Sequence, residues 1–152
     1  MDRIDTQIIA QLQENARLSI TDLAERVGLP ATPCARRVQK LEEDGIITGY
    51  TARVDASKLG LALTVFIFVE LERQSHETLR NFETAILRFD EVVECHLMTG
   101  TRDILLKVVA PDLKAFDRFL EDHLVHVPGI RATRSSFSLR TMVQRDVIAV
   151  AG

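Results

Sequence analysis

The chain has 152 residues, enough for one large domain or two small ones, and its 46% apolar and 27% charged residues are ordinary for a folded globular protein. No run of about 18 apolar residues is present, which excludes a membrane-spanning helix. A net charge of −3 argues against indiscriminate nucleic-acid binding, and residues 1–55 carry nine acids against seven bases. Any affinity for DNA must therefore come from a local cluster, multiplied by oligomerisation. The opening Met1-Asp2-Arg3-Ile4-Asp5 lacks the apolar core of a signal peptide. Two distant cysteines, Cys34 and Cys95, give neither a disulfide framework nor metal spacing. A cytoplasmic protein with no metal or cofactor is expected.

Asp2 can cap a first helix in which Ile4, Ile8, Ile9 and Leu12 share a face, and Asn15-Ala16-Arg17 reads as its end. Ser19-Ile20-Thr21-Asp22 has the spacing of a capping box that opens a second helix, with Ile20, Leu23, Ala24 and Val27 as its apolar stripe. Gly28-Leu29-Pro30 turns the chain into a third helix. There Cys34, Val38 and Leu41 recur at i, i+4 and i+7 on a buried stripe, and Gly45 supplies the stop. Thr32, Arg36 and Lys40 fall on the opposite side, with Arg37 on the flank. In this third helix cations come first and Glu42, Glu43 and Asp44 last, so a polyanion would meet its N-terminus. Three short helices with that turn fit a helix-turn-helix, and they fit a plain three-helix bundle as well.

Ile46 to Asp55 holds Gly49 among β-favouring residues and predicts a wing or short strand. Arg53 within it could reach a phosphate or stay solvated. Residues 56–61 are the expected linker between a domain at 1–55 and another at 62–152. The second domain reads as a weak duplication. A strand from Leu63 to Leu71 leads to a helix with Leu79, Phe82, Ile86 and Phe89 on one face, then to a strand from Val92 to Met98. Another strand runs from Ile104 to Ala110, followed by a helix bearing Leu113, Phe116, Leu120 and Leu124, and by a strand from about Arg131 to Leu139. The order β-α-β-β-α-β predicts a ferredoxin-like domain, both helices covering one face of a four-stranded antiparallel sheet. In the first strand Leu63, Val65, Ile67, Val69 and Leu71 point one way, and Thr64, Phe66 and Phe68 the other. Two phenylalanines on an uncovered face predict a homodimer formed sheet against sheet.

These residues resemble a known family. Asp5-x-x-Ile8-Ile9-x-x-Leu12, Asn15-Ala16-Arg17 and Leu23-Ala24-x-x-Val27-Gly28-Leu29 are similar to the leucine-responsive regulatory protein/AsnC family of bacterial and archaeal transcription regulators. So are Thr32-Pro33-Cys34-x-x-Arg37-Val38-x-x-Leu41-Glu42-x-x-Gly45-Ile46-Ile47 and Gly49-Tyr50. Val93-x-Cys95-His96, Thr99-Gly100-x-x-Asp103-x-Leu105-Leu106 and Val127-Pro128-Gly129-Ile130 extend the match into the second half. The resemblance implies an α+β protein: an N-terminal winged helix-turn-helix plus a C-terminal ferredoxin-like βαββαβ domain for effector sensing and assembly. It also implies dimers that assemble further, commonly to octamers, on double-stranded DNA, with an amino acid as effector. The family usually carries Ser-Pro where this chain has Pro30-Ala31. Thr32 is therefore expected to cap the third helix, with Pro33 in its first position.

For DNA, Thr32, Pro33, Ala35 and Arg36 are expected nearest the major groove, with Arg36 matched to the O6/N7 pair of a guanine. Arg37, Lys40, Ser19 and Thr21 are expected to hold phosphates and set register. Thr99-Gly100-Thr101-Arg102-Asp103 is by its residues either an ordinary hairpin turn or a ligand loop. As a ligand loop it offers backbone N–H groups, a hydroxyl and a carboxylate suited to a zwitterion. The resemblance implies the ligand loop, between neighbouring dimers, closed by Ser136 and Ser138 of the next subunit. Relatives often have an aromatic residue where Ile104 follows the aspartate.

His123 and His126 have no third ligand at metal spacing, so they read as helix-end charge. Cys95 and His96 are adjacent on a strand and face opposite ways, which denies them a catalytic couple. No paired carboxylates, activated nucleophile or phosphate loop supports an enzyme. The expected function is a DNA-binding transcriptional regulator responding to an amino-acid effector. The alternative is a nucleoid-type architectural DNA-binding protein without sensing.

Overall fold

The computed structural model describes residues 1–100 and 102–149. Its chain forms two compact units, one from Met1–Arg53 together with the segment from Met142 onward, the other from Val54–Thr141. The first unit contains α1 (Arg3–Glu14), α2 (Ile20–Val27) and α3 (Ala31–Glu43). Asp2 caps α1 by accepting the N–H groups of Ile4 and Asp5, and Asp5 reciprocates by accepting the Asp2 N–H at 2.9 Å. Ile8, Leu23, Ala24, Val27, Cys34, Val38 and Leu41 are buried together, with Ile4, Ile9 and Leu12 packed against them. Ile20 departs from its expected place. As the first residue of α2 it precedes the point where the stripe turns inward, and it is 37% exposed. Gly28 ends α2 with φ +70°, the left-handed cap that the tight turn into α3 requires.

The expected box at Ser19 is half made. Its Oγ accepts the Asp22 N–H at 3.1 Å, but the Asp22 carboxylate accepts the Ser19 hydroxyl at 2.6 Å and not its backbone N–H. The start of α3 also differs from expectation. Pro30, already extended at φ −63° and ψ 152°, takes the cap position and offers no side-chain acceptor. Thr32 is therefore the second helical residue and Pro33 the third. Of the expected wing or short strand, residues 46–55 form a loop, joining no strand ladder among the described residues. Its first part is tied to α3, since the N–H groups of Ile46 and Ile47 both donate to the Leu41 carbonyl, at 2.9 and 3.0 Å. The described residues after Met142 pack within this first unit. Gln13 Nε2 donates to the Ile148 carbonyl at 2.9 Å, and the Ile148 N–H donates back to Gln13 Oε1 at 2.7 Å.

The second unit holds β1 (Leu63–Leu71), α4 (His76–Ile86), β2 (Val92–Leu97), β3 (Ile104–Ala110), α5 (Leu113–Asp122) and β4 (Ile130–Phe137). A 3-10 turn, Leu124–His126, follows α5. The sheet order is β2-β3-β1-β4, antiparallel throughout, which is the expected split βαβ arrangement. Alternation along β1 puts Val65, Ile67, Val69 and Leu71 into the core, where they meet Phe82, Ile86, Phe116 and Phe119 from the helices. Leu113 was expected in that core, yet it opens α5 at 63% exposure and Phe119 fills the inward position. Phe66 and Phe68 lie on the opposite face and are half-buried, the guanidinium of Arg102 lying 4.3 Å from the centre of the Phe68 ring.

Candidate DNA-binding and effector sites

The DNA-facing candidates cluster at the start of α3. With no side-chain cap and no acid in its first turn, the helix leaves the N–H groups of Ala31 and Thr32 without an intrahelical partner. Thr32, Pro33 and Arg36 are exposed there, while Ala35 is half-buried. The three cations of α3 differ in their surroundings. Arg36 makes no ion pair among the described residues. Lys40 is paired with Asp44 at 3.1 Å on the exposed face. Arg37 Nη1 donates to Asp2 at 2.8 Å and to Asp5 at 2.7 Å, bridging α3 to the first turn of α1. The Asp5 backbone N–H and then Arg37 hold the Asp2 carboxyl below its usual range, and the two aspartates raise Arg37.

On α2, Thr21 is exposed, and the Ser19 hydroxyl is engaged with Asp22. Arg53 sits 3.4 Å from Asp146. Tyr50 donates its hydroxyl to Glu42 at 2.8 Å, and desolvation followed by that bond pushes its pKa up to about 12. Neither the Arg37 bridge nor the Tyr50 tie was anticipated. Arg37 lies in α3 and the two aspartates at the start of α1, and no local spacing announces their meeting.

The effector candidates divide into two places. Thr99 and Gly100 are exposed at the turn between β2 and β3, with Gly100 at φ +109°. Thr101 lies outside the described residues. The Met98 N–H closes the turn on the Asp103 carbonyl at 2.8 Å. Arg102 is stacked on Phe68, as described. Asp103 is the one buried charged residue among those described, 7% exposed, and its carboxylate accepts the Leu71 N–H at 2.6 Å and an N–H of the Gln74 amide. Leu71 and Gln74 were not foreseen as its partners.

Ser136 is paired with Phe66 on β4, and the Ser138 N–H donates to the Thr64 carbonyl. The Asp103 N–H, by contrast, donates to Val69 on the other side of β1. The serines thus lie three to five residues further along that strand, about 10–17 Å at 3.4 Å per residue. One chain does not bring the hairpin and the serines together.

Beside the hairpin, Leu97 and Ile104 line a groove of about 400 Å³ with Leu79, Phe82, Ile86, Leu87, Glu83 and Cys95. Desolvation, then the Glu83 charge, raises the Cys95 thiol above its usual range. Burial raises Cys34 in the same direction, inside the helical core. On the open sheet face Glu94 accepts from Lys107 at 2.7 Å and lies 3.1 Å from His96, and Lys107 is the main cause of its lowered pKa. Among the described residues no cluster of three His, Cys, Asp or Glu could hold a metal, and no helix is long and apolar enough to cross a membrane.

Comparison with known proteins bears on both places. Residues 1–48 match a family profile described as winged helix-turn-helix DNA-binding, and residues 64–148 match the Lrp/AsnC ligand binding domain. The chain is 43% identical to the Bkd operon transcriptional regulator of Pseudomonas aeruginosa over 146 residues, covering 96% of this chain and 95% of that protein. It is 37% identical to the leucine-responsive regulatory protein of Escherichia coli K12 over 150 residues, covering 99% and 92%. A crystal structure of a Neisseria meningitidis transcriptional regulator in complex with L-Met superposes with a TM-score of 0.88 at 35% identity, covering 95% of this chain and 93% of that one. With a DNA-binding helical unit, a ligand-binding βαββαβ unit and matches that run the length of both, the chain belongs to the Lrp/AsnC family of DNA-binding transcriptional regulators.

Proposed function

We propose that this regulator reads double-stranded DNA through the first half of α3 and answers to an amino acid with an apolar side chain. The observation that carries the DNA assignment is the exposed guanidinium of Arg36, without an ion pair among the described residues, beside an uncapped helix start. Arginine presents a planar fork that fits guanine O6 and N7, and the open N–H groups of Ala31 and Thr32 favour a phosphate. Thr32 and Pro33 would lie against the groove, with Ala35 behind them, and Thr21 and Lys40 would bind phosphates. Ser19 would do so through its backbone, since its hydroxyl is engaged. Arg37 acts at one remove: as a positioning residue it fixes the angle at which α3 leaves α1.

For the effector, the support is a relative that binds L-Met, a hairpin with polar backbone, and an apolar groove beside that hairpin. The separation of Asp103 from Ser136 and Ser138 favours a site completed by a second subunit. Thr99, Gly100, Thr101 and Arg102 would contribute from the hairpin side. Dimers joined through the open sheet face, stacked further into octamers, supply such neighbours. Two DNA heads on one dimer compound their affinities, which answers the acidic balance of the helical unit. An effector acts in this scheme only if it prefers one assembly over another. The relatives are transcriptional regulators, and we assign this chain a role in binding, not catalysis, in the cytoplasm.

A mobility-shift assay on the chain's own promoter region tests the head. Arg36→Ala should weaken binding by about 1–3 kcal/mol and relax base preference at one position. An unchanged affinity and footprint would refute the role. Titration calorimetry with the twenty amino acids, followed by sedimentation with any that bind, tests the sensing half. No heat from any of them would refute it.

A further inference from the structure

Asp103 is the group best suited to receive the ammonium of an amino-acid effector, and its two carboxylate oxygens are held by donors of different kinds. Oδ2 accepts the backbone N–H of Leu71 at 2.6 Å, at the end of β1. That donor is fixed by the sheet: Leu71 pairs with Ile130, and the Asp103 N–H is itself bonded to Val69. Oδ1 accepts from the side-chain amide of Gln74, a residue whose surface is exposed and which belongs to no helix or strand. The first donor can leave only if the end of β1, an interior strand, comes away from its neighbours. The second needs only to rotate.

A primary amide NH2 and an ammonium are alike in offering N–H donors to a carboxylate, but the ammonium is charged. Both bonds are charge-assisted through the carboxylate, and the ammonium adds the attraction of a full opposite charge in a buried place. Given the amino-acid reading above, on which this step rests, we infer that Gln74 is an internal stand-in for the effector's ammonium. It occupies Asp103 Oδ1 and is displaced from it when the amino acid binds. Displacement has two consequences. Apparent affinity falls by the fraction of molecules in which Gln74 holds the oxygen. The segment around Gln74 is also released at a sensitive point. Glu72 is pinned on one side by its N–H bond to Gly129 at 2.8 Å, and Ser75 on the other side is the N-cap of α4, accepting the Thr78 N–H at 3.1 Å. Binding at Asp103 is thereby felt at the start of α4.

Titration calorimetry of the full-length protein with L-methionine and L-leucine tests this, with N-acetyl-L-methionine as the probe lacking an ammonium. Gln74→Ala should bind the free amino acids about ten- to a hundredfold more tightly, the range expected for losing one competing hydrogen bond to a charged acceptor. Gln74→Met, which keeps length and loses the donor, should do the same. The acetylated probe should bind none of these proteins. On saturation of the wild type, the Gln74 side-chain amide resonances should move toward those of a solvated glutamine. Binding by the variants with a silent wild type would also support displacement. Equal or weaker affinity in both variants, with unchanged melting temperatures, would overturn the stand-in and leave the amino-acid reading intact. Absence of binding in wild type and variants alike would overturn that reading, and this inference with it.

Discussion

Arg36 and Arg37 are sequence neighbours with opposite environments. One helical step, 100°, carries the first side chain to solvent and the second toward α1, where two carboxylates meet it. The second arginine therefore belongs to folding before it belongs to recognition. Its partner Asp2 has a folded-state pKa below 3.8, so the carboxylate contributes stability that is complete above 3.8 and disappears as the pH falls through the lower folded value. Thermal melts of the wild type and Asp2→Asn should differ near pH 6, the wild type being more stable, and should converge below pH 3.8. Curves that stay equally separated down to low pH would show that ionisation of Asp2 is not what joins the helices. The bridge was out of reach of sequence reading because Arg37 is brought to the two aspartates only by the packing of the shared core of the three helices.

Among the elements, turn chemistry and periodicity were informative where a single force decides the outcome. Strands β1 and β3 run over the residues that alternation marks, and the order of all four strands and two long helices follows from the apolar pattern. The pattern failed at element ends. Ile20 and Leu113 have the right spacing for the core yet begin their helices, where the stripe has not yet reached the interior. The strand reading of 46–55 failed for a different reason: β-favouring residues need a partner strand, and this loop has none among the described residues. Of the sites, exposure of Thr32 and Arg36 followed from helix spacing, whereas the Asp103 partners lie about thirty residues away and carry no local signature.

Gly28 is the sharpest test at this scale. At φ +70° nothing lies within 4 Å of an added Cβ, so Gly28→Ala would meet conformational strain and no clash. It should cost about 1–2 kcal/mol in denaturant unfolding, the penalty of a left-handed L-residue. A smaller loss would mean that the turn between α2 and α3 can relax.

For the whole molecule, one feature dominates: a sheet covered by helices on one face only. Phe66 and Phe68 stand at the middle of the bare face, with Leu105 paired opposite Phe68. Burying one phenylalanine contributes about 1.5–3 kcal/mol, and in the proposed sheet-to-sheet dimer each residue would count twice. Phe66→Asp should therefore shift the sedimentation profile toward a monomer at micromolar concentration, with the helical unit's far-ultraviolet signal retained. Persistence of the wild-type assembly would place the subunit contact elsewhere.

The clasp between Gln13 and Ile148 changes how the chain is threaded. Among the described residues, the stretch from Met142 returns to the helical unit, so the peptide backbone passes from that unit to the other and back. Gln13→Ala, which removes both hydrogen bonds of the clasp, should consequently expose the backbone of Ile148 to hydrogen exchange.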